Sequence, residues 1–314
     1  MNSQAPQVTP PSPLPVCPGQ GHPILALTDF SPPAEQALER AALLARAAPA
    51  PLQLLHVLPG ATLRELRAWL PGKPQLGQRI LEEARTRVQR EASGLKALHG
   101  VDVDAACLEG HVLDETATMA EQLDVSMLVL GARGAGFLRQ LVLGSTAERL
   151  LRRTARPLLV VRQPAHETYR RVLVALDFSP WSAAALMLAR CIAPRAHLLL
   201  FHAWQVPFID KLHFAGVDAG TIEIYRQHTR AEATQHVHAA AAAAGLAPDA
   251  WQSCIAEGDA SLRMVELEQL HACDLVVLGK HGRSATQELL LGSTTKHVLA
   301  EGRCDVLVST ARVR

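Results

Sequence analysis

The sequence predicts an α/β fold built twice over, as two tandem copies of a five-stranded parallel sheet with helices on both faces. Three observations predict it. Short apolar runs alternate with longer amphipathic stretches, the pattern of parallel strands joined by right-handed helical crossovers. The same residues recur at one offset: Asp29 and Asp177, Gly131 and Gly279, and Gly144 and Gly292 are each 148 positions apart. The length of 314 residues is generous for one core and ordinary for two.

The repeat divides the chain. Residues 1–20 carry prolines at 6, 10, 11, 13, 15 and 18 and are expected to form a disordered tail. A first domain is expected over 21–163 and a second over 170–312, with a short joint that docks them against each other. In the first copy, 24–28 is a brief apolar run suited to a strand buried on both faces. Ser31 is placed to cap the next helix, with Pro32 at its first position and the body over 34–47. Strands follow at 52–57, 103–108, 126–130 and 158–161. Helices are expected at 78–98, at 113–122 and from about 146. The second copy repeats the series from 172–176 to 306–309.

Composition excludes several classes. Lys+Arg 31 against Asp+Glu 30 gives a net charge of +1, without the basic excess that phosphate-backbone binding uses, so no nucleic-acid partner is expected. No apolar run approaches the ~20 residues that span a bilayer, and no basic-then-apolar leader opens the chain. The six cysteines are scattered without a CxxC pair, which fits reduced thiols and a cytoplasmic location.

Open parallel sheets bind ligands beyond the carboxyl ends of their strands, and the repeated residues fall there. Each copy carries G-x2-G-x9-G-S: Gly131, Gly134, Gly144 and Ser145 in the first, and Gly279, Gly282, Gly292 and Ser293 in the second, followed by Thr146 and Thr294. Glycine lets successive N–H groups converge on an anion, and a helix opening after the last glycine aims unpaired N–H groups at the same point. A carboxylate after the first strand, Asp29 or Asp177, suits a ribose hydroxyl or an adenine amine. The plainer alternatives are turn glycines, serine N-caps and aspartates that cap the helices behind them. Four such features at fixed spacing, twice, favour nucleotide over turn chemistry alone.

With the Asp-Phe-Ser turns at 29–31 and 177–179, this motif resembles the universal stress protein family in its ATP-binding branch. The resemblance implies flavodoxin-like domains, of the adenine nucleotide alpha hydrolase-like kind, with strand order 3-2-1-4-5. It implies one ATP per domain, with Mg²⁺. Asp29 and Asp177 would contact ribose or adenine, and backbone at the strand-two ends, Val57 and Ala203, would meet adenine. The glycines and serines of both motifs would cradle ribose and phosphates. It also implies an intrachain pseudo-dimer in which 158–161 meets 306–309, and leaves a further homodimer open.

No dedicated catalytic machinery is expected. The chain lacks GxxxxGK[ST], GxSxG and HExxH. Arg133, Arg139, Lys280, His281 and Arg283 around the loops read as solvated cations, with neutralisation of phosphate charge as the alternative. His202, His213, His228, His236 and His238 lack zinc-ligand spacing, and His56 and His202 read as strand-end packing. Weak ATPase or adenylyl- or phosphoryl-transfer activity is one alternative role. An interaction scaffold is another, with the apolar stretch 206–216 (Phe208, Ile209, Leu212, Phe214) contacting a partner or lipid-like ligand instead of packing on its own sheet.

Overall fold

The computed structural model describes residues 16–19, 21–69, 75–132, 145–206, 208–282 and 291–313. The first half runs β1 (Ile24–Leu27), α1 (Pro32–Ala47), β2 (Leu52–Pro59), α2 (Gly60–Trp69), α3 (Leu76–His99), β3 (Val103–Gly110), α4 (Val112–Gln122), β4 (Met127–Gly131), α5 (Ser145–Arg153) and β5 (Leu158–Val161). The second runs β6 (Arg171–Ala175), α6 (Pro180–Ile192), β7 (His197–Trp204), α7 (Ile209–Phe214), α8 (Ala219–Ala243), β8 (Trp251–Glu257), α9 (Ala260–Leu270), β9 (Leu275–Gly279), α10 (Ser293–Glu301) and β10 (Asp305–Ser309).

All the strands join one sheet, in the order β3-β2-β1-β4-β5-β10-β9-β6-β7-β8. Within each half the pairs are parallel and the order is the expected 3-2-1-4-5. The halves meet where β5 pairs antiparallel with β10, Leu159 opposite Leu307. Alternation along the strands divides the core into two layers. Ile24, Ala26, Leu159 and Leu307 face the layer covered by α1, α3, α6 and α8. Leu25, Leu158, Val160 and Val306 face the layer under α4, α5, α9 and α10. Each layer continues across the seam, so the two halves share their apolar burial.

Local chemistry explains the helix starts. Ser31 caps α1, accepting the Ala34 amide at 3.4 Å ahead of prolines at the first two helical positions. Asp218 and Asp259 cap α8 and α9 in the same way, through the amides of Thr221 (2.9 Å) and Ser261 (2.9 Å). α3 ends on Gly100 at φ 66°, a left-handed cap suited to glycine.

Several expectations are corrected. α2 was not anticipated; it is anchored by buried Leu63, while Trp69 at its end is 80% exposed. β2 and β7 run past Val57 and Ala203 to Pro59 and Trp204, because β3 and β8 offer partners that far. The thiols are not all free: Cys17 and Cys191 form a disulfide with Cα atoms 5.6 Å apart. Their 174-residue separation in sequence hides the pairing. Within 206–216, Pro207 and the side chains of Asp210, Leu212 and His213 lie outside the described residues. Phe208 and Phe214 do not pack on their own sheet, being 71% and 96% exposed, while Ile209 packs against the cluster of Trp204, Val206 and Ala233.

Candidate functional site

The turn after each central strand is built from three interlocked residues. Asp29 Oδ1 accepts from the Ser31 amide (3.1 Å) and hydroxyl (2.5 Å), and Ser31 Oγ accepts in turn from α1. Asp177 Oδ1 likewise accepts from the Ser179 amide (3.0 Å) and hydroxyl (2.6 Å), while Ser179 Oγ accepts the Ser182 amide at 3.3 Å. The aspartates therefore hold the capping serines and do not cap directly.

The residue between sits in left-handed backbone, Phe30 at φ 63° and Phe178 at φ 60°. That conformation costs a residue other than glycine on the order of 1–2 kcal/mol. Ring contacts beneath offset the cost. Phe30 stacks on His56 at 4.2 Å and Phe178 lies 4.4 Å from His202. Each imidazole donates from Nδ1 to the strand-end carbonyl of Thr28 (2.8 Å) or Leu176 (2.7 Å). Burial lowers the His56 pKa below 6.5, more than its bond to Thr28 raises it, so the ring is neutral at pH 7. Here the equivalence shifts to 146 positions, the segment from Ser179 to His202 being two residues shorter than that from Ser31 to His56.

The flanks of the two turns differ. The Arg87 guanidinium lies 4.4 Å over the Phe30 ring and donates to the Phe30 carbonyl at 3.2 Å. Glu91 accepts from the Thr28 hydroxyl at 3.2 Å, and burial raises its carboxyl pKa. In the second half the His236 ring meets Phe178 edge-on at 5.2 Å.

The glycines separate by what surrounds them. Gly131 and Gly279 end β4 and β9 against the first turns of α1 and α6. An added Cβ would lie 2.6 Å from the Pro33 carbonyl oxygen at the first and 2.9 Å from Trp181 Cβ at the second. Helix packing accounts for both. Gly282 instead lies against the Asp177 turn, where a Cβ would stand 3.2 Å from Asp177 Oδ2. At Gly292 a Cβ would make ordinary contacts, 3.5 Å from the Lys280 carbonyl oxygen.

Gly292 is itself the N-cap of α10, its amide donating to Lys280 O at 3.2 Å. Ser293 is thus the first helical residue and not the cap. It is exposed, Thr294 is half-buried, and the Thr295 hydroxyl donates to Gly279 O at 3.1 Å. Lys280 and His281 are buried rather than solvated, with His281 edge-on to Trp181 at 4.8 Å. Val57 is buried and Ala203 is half-buried.

In the first half, Ser145 opens α5 and half-buried Thr146 follows. Gly134, Gly144, Arg133, Arg139, Arg283 and the Ser145 side chain lie outside the described residues. Thr146 lines a cleft of about 390 Å³ beyond β2 and β3, with Arg64, His111 and Arg149. Arg64 belongs to no motif and stands on α2, for which the apolar spacing of Leu63 and Leu66 is the one sequence signal. His228, His236 and His238 do not converge, and among the described residues no three metal-ligating side chains cluster. His236 meets Phe178, and His238 meets Trp251 edge-on at 5.0 Å. No described helix is long and apolar enough to cross a membrane.

Comparison with known proteins agrees with this architecture. The model of the universal stress protein family matches twice, over residues 21–162 and 168–310. A universal stress protein of Mycolicibacterium smegmatis is 28% identical over 309 residues, covering 92% of this chain and 97% of its own. One from Mycobacterium tuberculosis is 28% identical over 237 residues, 73% of this chain and 71% of its own. In fold, the chain is similar to a universal stress protein from Archaeoglobus fulgidus, with a TM-score of 0.62 at 18% identity over 92% of this chain and 98% of the other.

Proposed function

The chain belongs to the universal stress protein family, as two Usp domains in tandem, and from that premise we propose that each domain binds one ATP, with Mg²⁺, in a stress-linked regulatory role. The observation that carries this reading is the approach of the Gly282 backbone to the Asp177 carboxylate, where an added Cβ would stand 3.2 Å from Oδ2. A side chain at 282 would crowd the carboxylate that this reading assigns to the ligand.

In this reading Asp29 and Asp177 accept from ribose or adenine, each held in place by its serine. Val57 and Ala203 present strand backbone to the base edge. Gly131, Gly134, Gly144 and Ser145, and Gly279, Gly282, Gly292 and Ser293, bring N–H groups to ribose and phosphates, with Thr146 and Thr294 in the first helical turn. Unpaired amides at the starts of α5 and α10 stabilise the phosphate charge. Bound Mg²⁺ would supply charge neutralisation between phosphates. Occupancy shifts a conformational or assembly equilibrium by differential affinity for its states. The cytoplasm is the compartment that goes with this role.

The test is to denature freshly purified protein and quantify released nucleotide per chain, in wild type, Gly144→Val, Gly292→Val and the double variant. About two ATP in wild type, one in each single variant and none in the double is the expected pattern from two independent sites. Predominant ADP or turnover of added ATP would move the reading to an enzyme. No nucleotide, and no binding of added Mg-ATP, would sink it.

Exposed Phe208 and Phe214 favour a second reading, an interaction scaffold with structural nucleotide. Deleting 206–216 would then abolish partner capture and leave ATP affinity unchanged.

A further inference from the structure

Redox chemistry in this chain concentrates at the end of α6 opposite the Asp177 turn. Cys17, Cys191 and Cys254 are half-buried, whereas Cys107, Cys273 and Cys304 are buried. Burial, reinforced by Asp274 and Glu268, pushes the Cys273 thiol up to about 12. It raises Cys304 well above its usual value, with Glu268 accepting the thiol at 3.0 Å, and raises Cys107 and Cys254 as well. Because the thiolate is the reactive species, these four are poor nucleophiles.

The sulfur pair lines a cleft of about 480 Å³, walled mostly by apolar residues such as Met187, Leu198 and Leu246, with Arg190 as the cation of its lining. Cys191 lies in the last turn of α6, a rigid element. Cys17 lies on a segment that reaches β1 through Gly19 and Gly21, at φ 94° and 85°. Gly19 packs so closely on the end of α1 that a side chain there would run into the Ala48 carbonyl. The disulfide therefore ties the entry to the first half onto a helix of the second, by a bond separate from the β5–β10 seam.

We propose that Cys17 and Cys191 form a reversible thiol–disulfide clasp whose oxidant is a low-molecular-weight disulfide bound in this cleft. The Cys191 thiolate attacks one sulfur of the small disulfide, giving a mixed disulfide and releasing one small thiol. The Cys17 thiolate then attacks the Cys191 sulfur, closing the protein disulfide and releasing the second. The protein dithiol loses two electrons and two protons, the small disulfide becomes two thiols, and excess small thiol runs the exchange backwards. Arg190 supplies a counter-charge for carboxylates on the small molecule. Occasional disulfides in reducing compartments are of this transient, sensing kind.

The test uses the full chain and glutathione in oxidised and reduced buffers, with acid quenching, denaturation, alkylation and mass spectrometry. In oxidised buffer wild type is expected to present four alkylatable cysteines of its six, with the missing pair mapped to Cys17 and Cys191. In reduced buffer all six return without unfolding, as followed by circular dichroism. Cys17→Ser in oxidised buffer is expected to trap a glutathione adduct on Cys191, which wild type does not accumulate. Six alkylatable thiols in every buffer would overturn the clasp. A disulfide that opens only after denaturation would overturn its reversibility. An adduct on Cys17 in Cys191→Ser, with none on Cys191 in Cys17→Ser, would overturn the order of attack.

Discussion

Arg40, on the first helix of the chain, lies 3.2 Å from Asp305, at the start of its last strand, with both side chains almost wholly buried. Nε sits at ion-pair distance from Oδ2 without the alignment of a hydrogen bond. Asp305 is satisfied instead by the Tyr169 hydroxyl (2.7 Å) and the amides of Arg162 (2.8 Å) and Gln163 (3.1 Å). The Arg40 guanidinium lies 4.2 Å over the Tyr169 ring and donates to Glu167 O at 2.7 Å. Burial beside the Asp305 carboxylate raises the Tyr169 pKa well above 10. Residues from the first half, the joint and the second half thus close one polar network behind the β5–β10 pair.

Removing one partner from such a pair strands the other charge. Arg40→Ala is expected to lower stability by about 3–5 kcal/mol. Urea denaturation of the two proteins measures it. A loss below about 1 kcal/mol would mean that Tyr169 and the two amides suffice for Asp305.

His56 makes stability depend on pH. Its folded pKa lies below the unfolded value of 6.5, so below pH 7 the unfolded chain binds more protons than the folded one at this site. The contribution is present above 6.5 and is lost as pH falls from there through the depressed folded value. His56→Asn, which keeps a donor for Thr28 O, should flatten the curve in that window. Denaturation midpoints across pH 5–8 in both proteins decide it, and parallel curves would exclude His56 as the cause.

Gly131 and Gly292 should respond differently to the same methyl group. Gly131→Ala drives a Cβ to 2.6 Å from Pro33 backbone and forces α1 away, costing about 1–3 kcal/mol of stability. Gly292→Ala meets only ordinary contacts and loses about 0.5 kcal/mol of helix capping, less than a serine or aspartate cap would. Melting curves paired with ATP titration separate the two roles. Equal stability losses would contradict the assignment of Gly131 to helix packing.

Ser179→Ala should remove the cap of α6 and the hydroxyl that holds Asp177. The expected cost is about 1 kcal/mol, with a weakened ATP affinity confined to the second site. If affinity at that site is unchanged, the amide of Ser179 alone positions the carboxylate.

Much of this architecture was legible in the residues themselves. Buried parallel strands need near-continuous apolar runs, so 24–28 and 158–161 announced themselves, and Ser31 before two prolines marked a helix start. The 148-residue offset doubled each signal and made the motif readable at Asp29, Asp177 and both glycine series. Strand order and the meeting of 158–161 with 306–309 came from the family resemblance those residues carry. α2 escaped because a short helix whose apolar spacing rests on Leu63 and Leu66 has little periodicity to read.

What the sequence by itself determined is therefore local and periodic: element types, their repetition, and the residues gathered at the strand ends. The tertiary structure alone decided which residues meet across long separations. Arg40 finds Asp305, Cys17 finds Cys191, and Gly131 is a glycine because Pro33 passes behind it. Such contacts depend on how layers stack after the chain has crossed the sheet, and no local pattern encodes that distance. The same reason places Lys280 and His281, polar and ordinary in sequence, inside the protein.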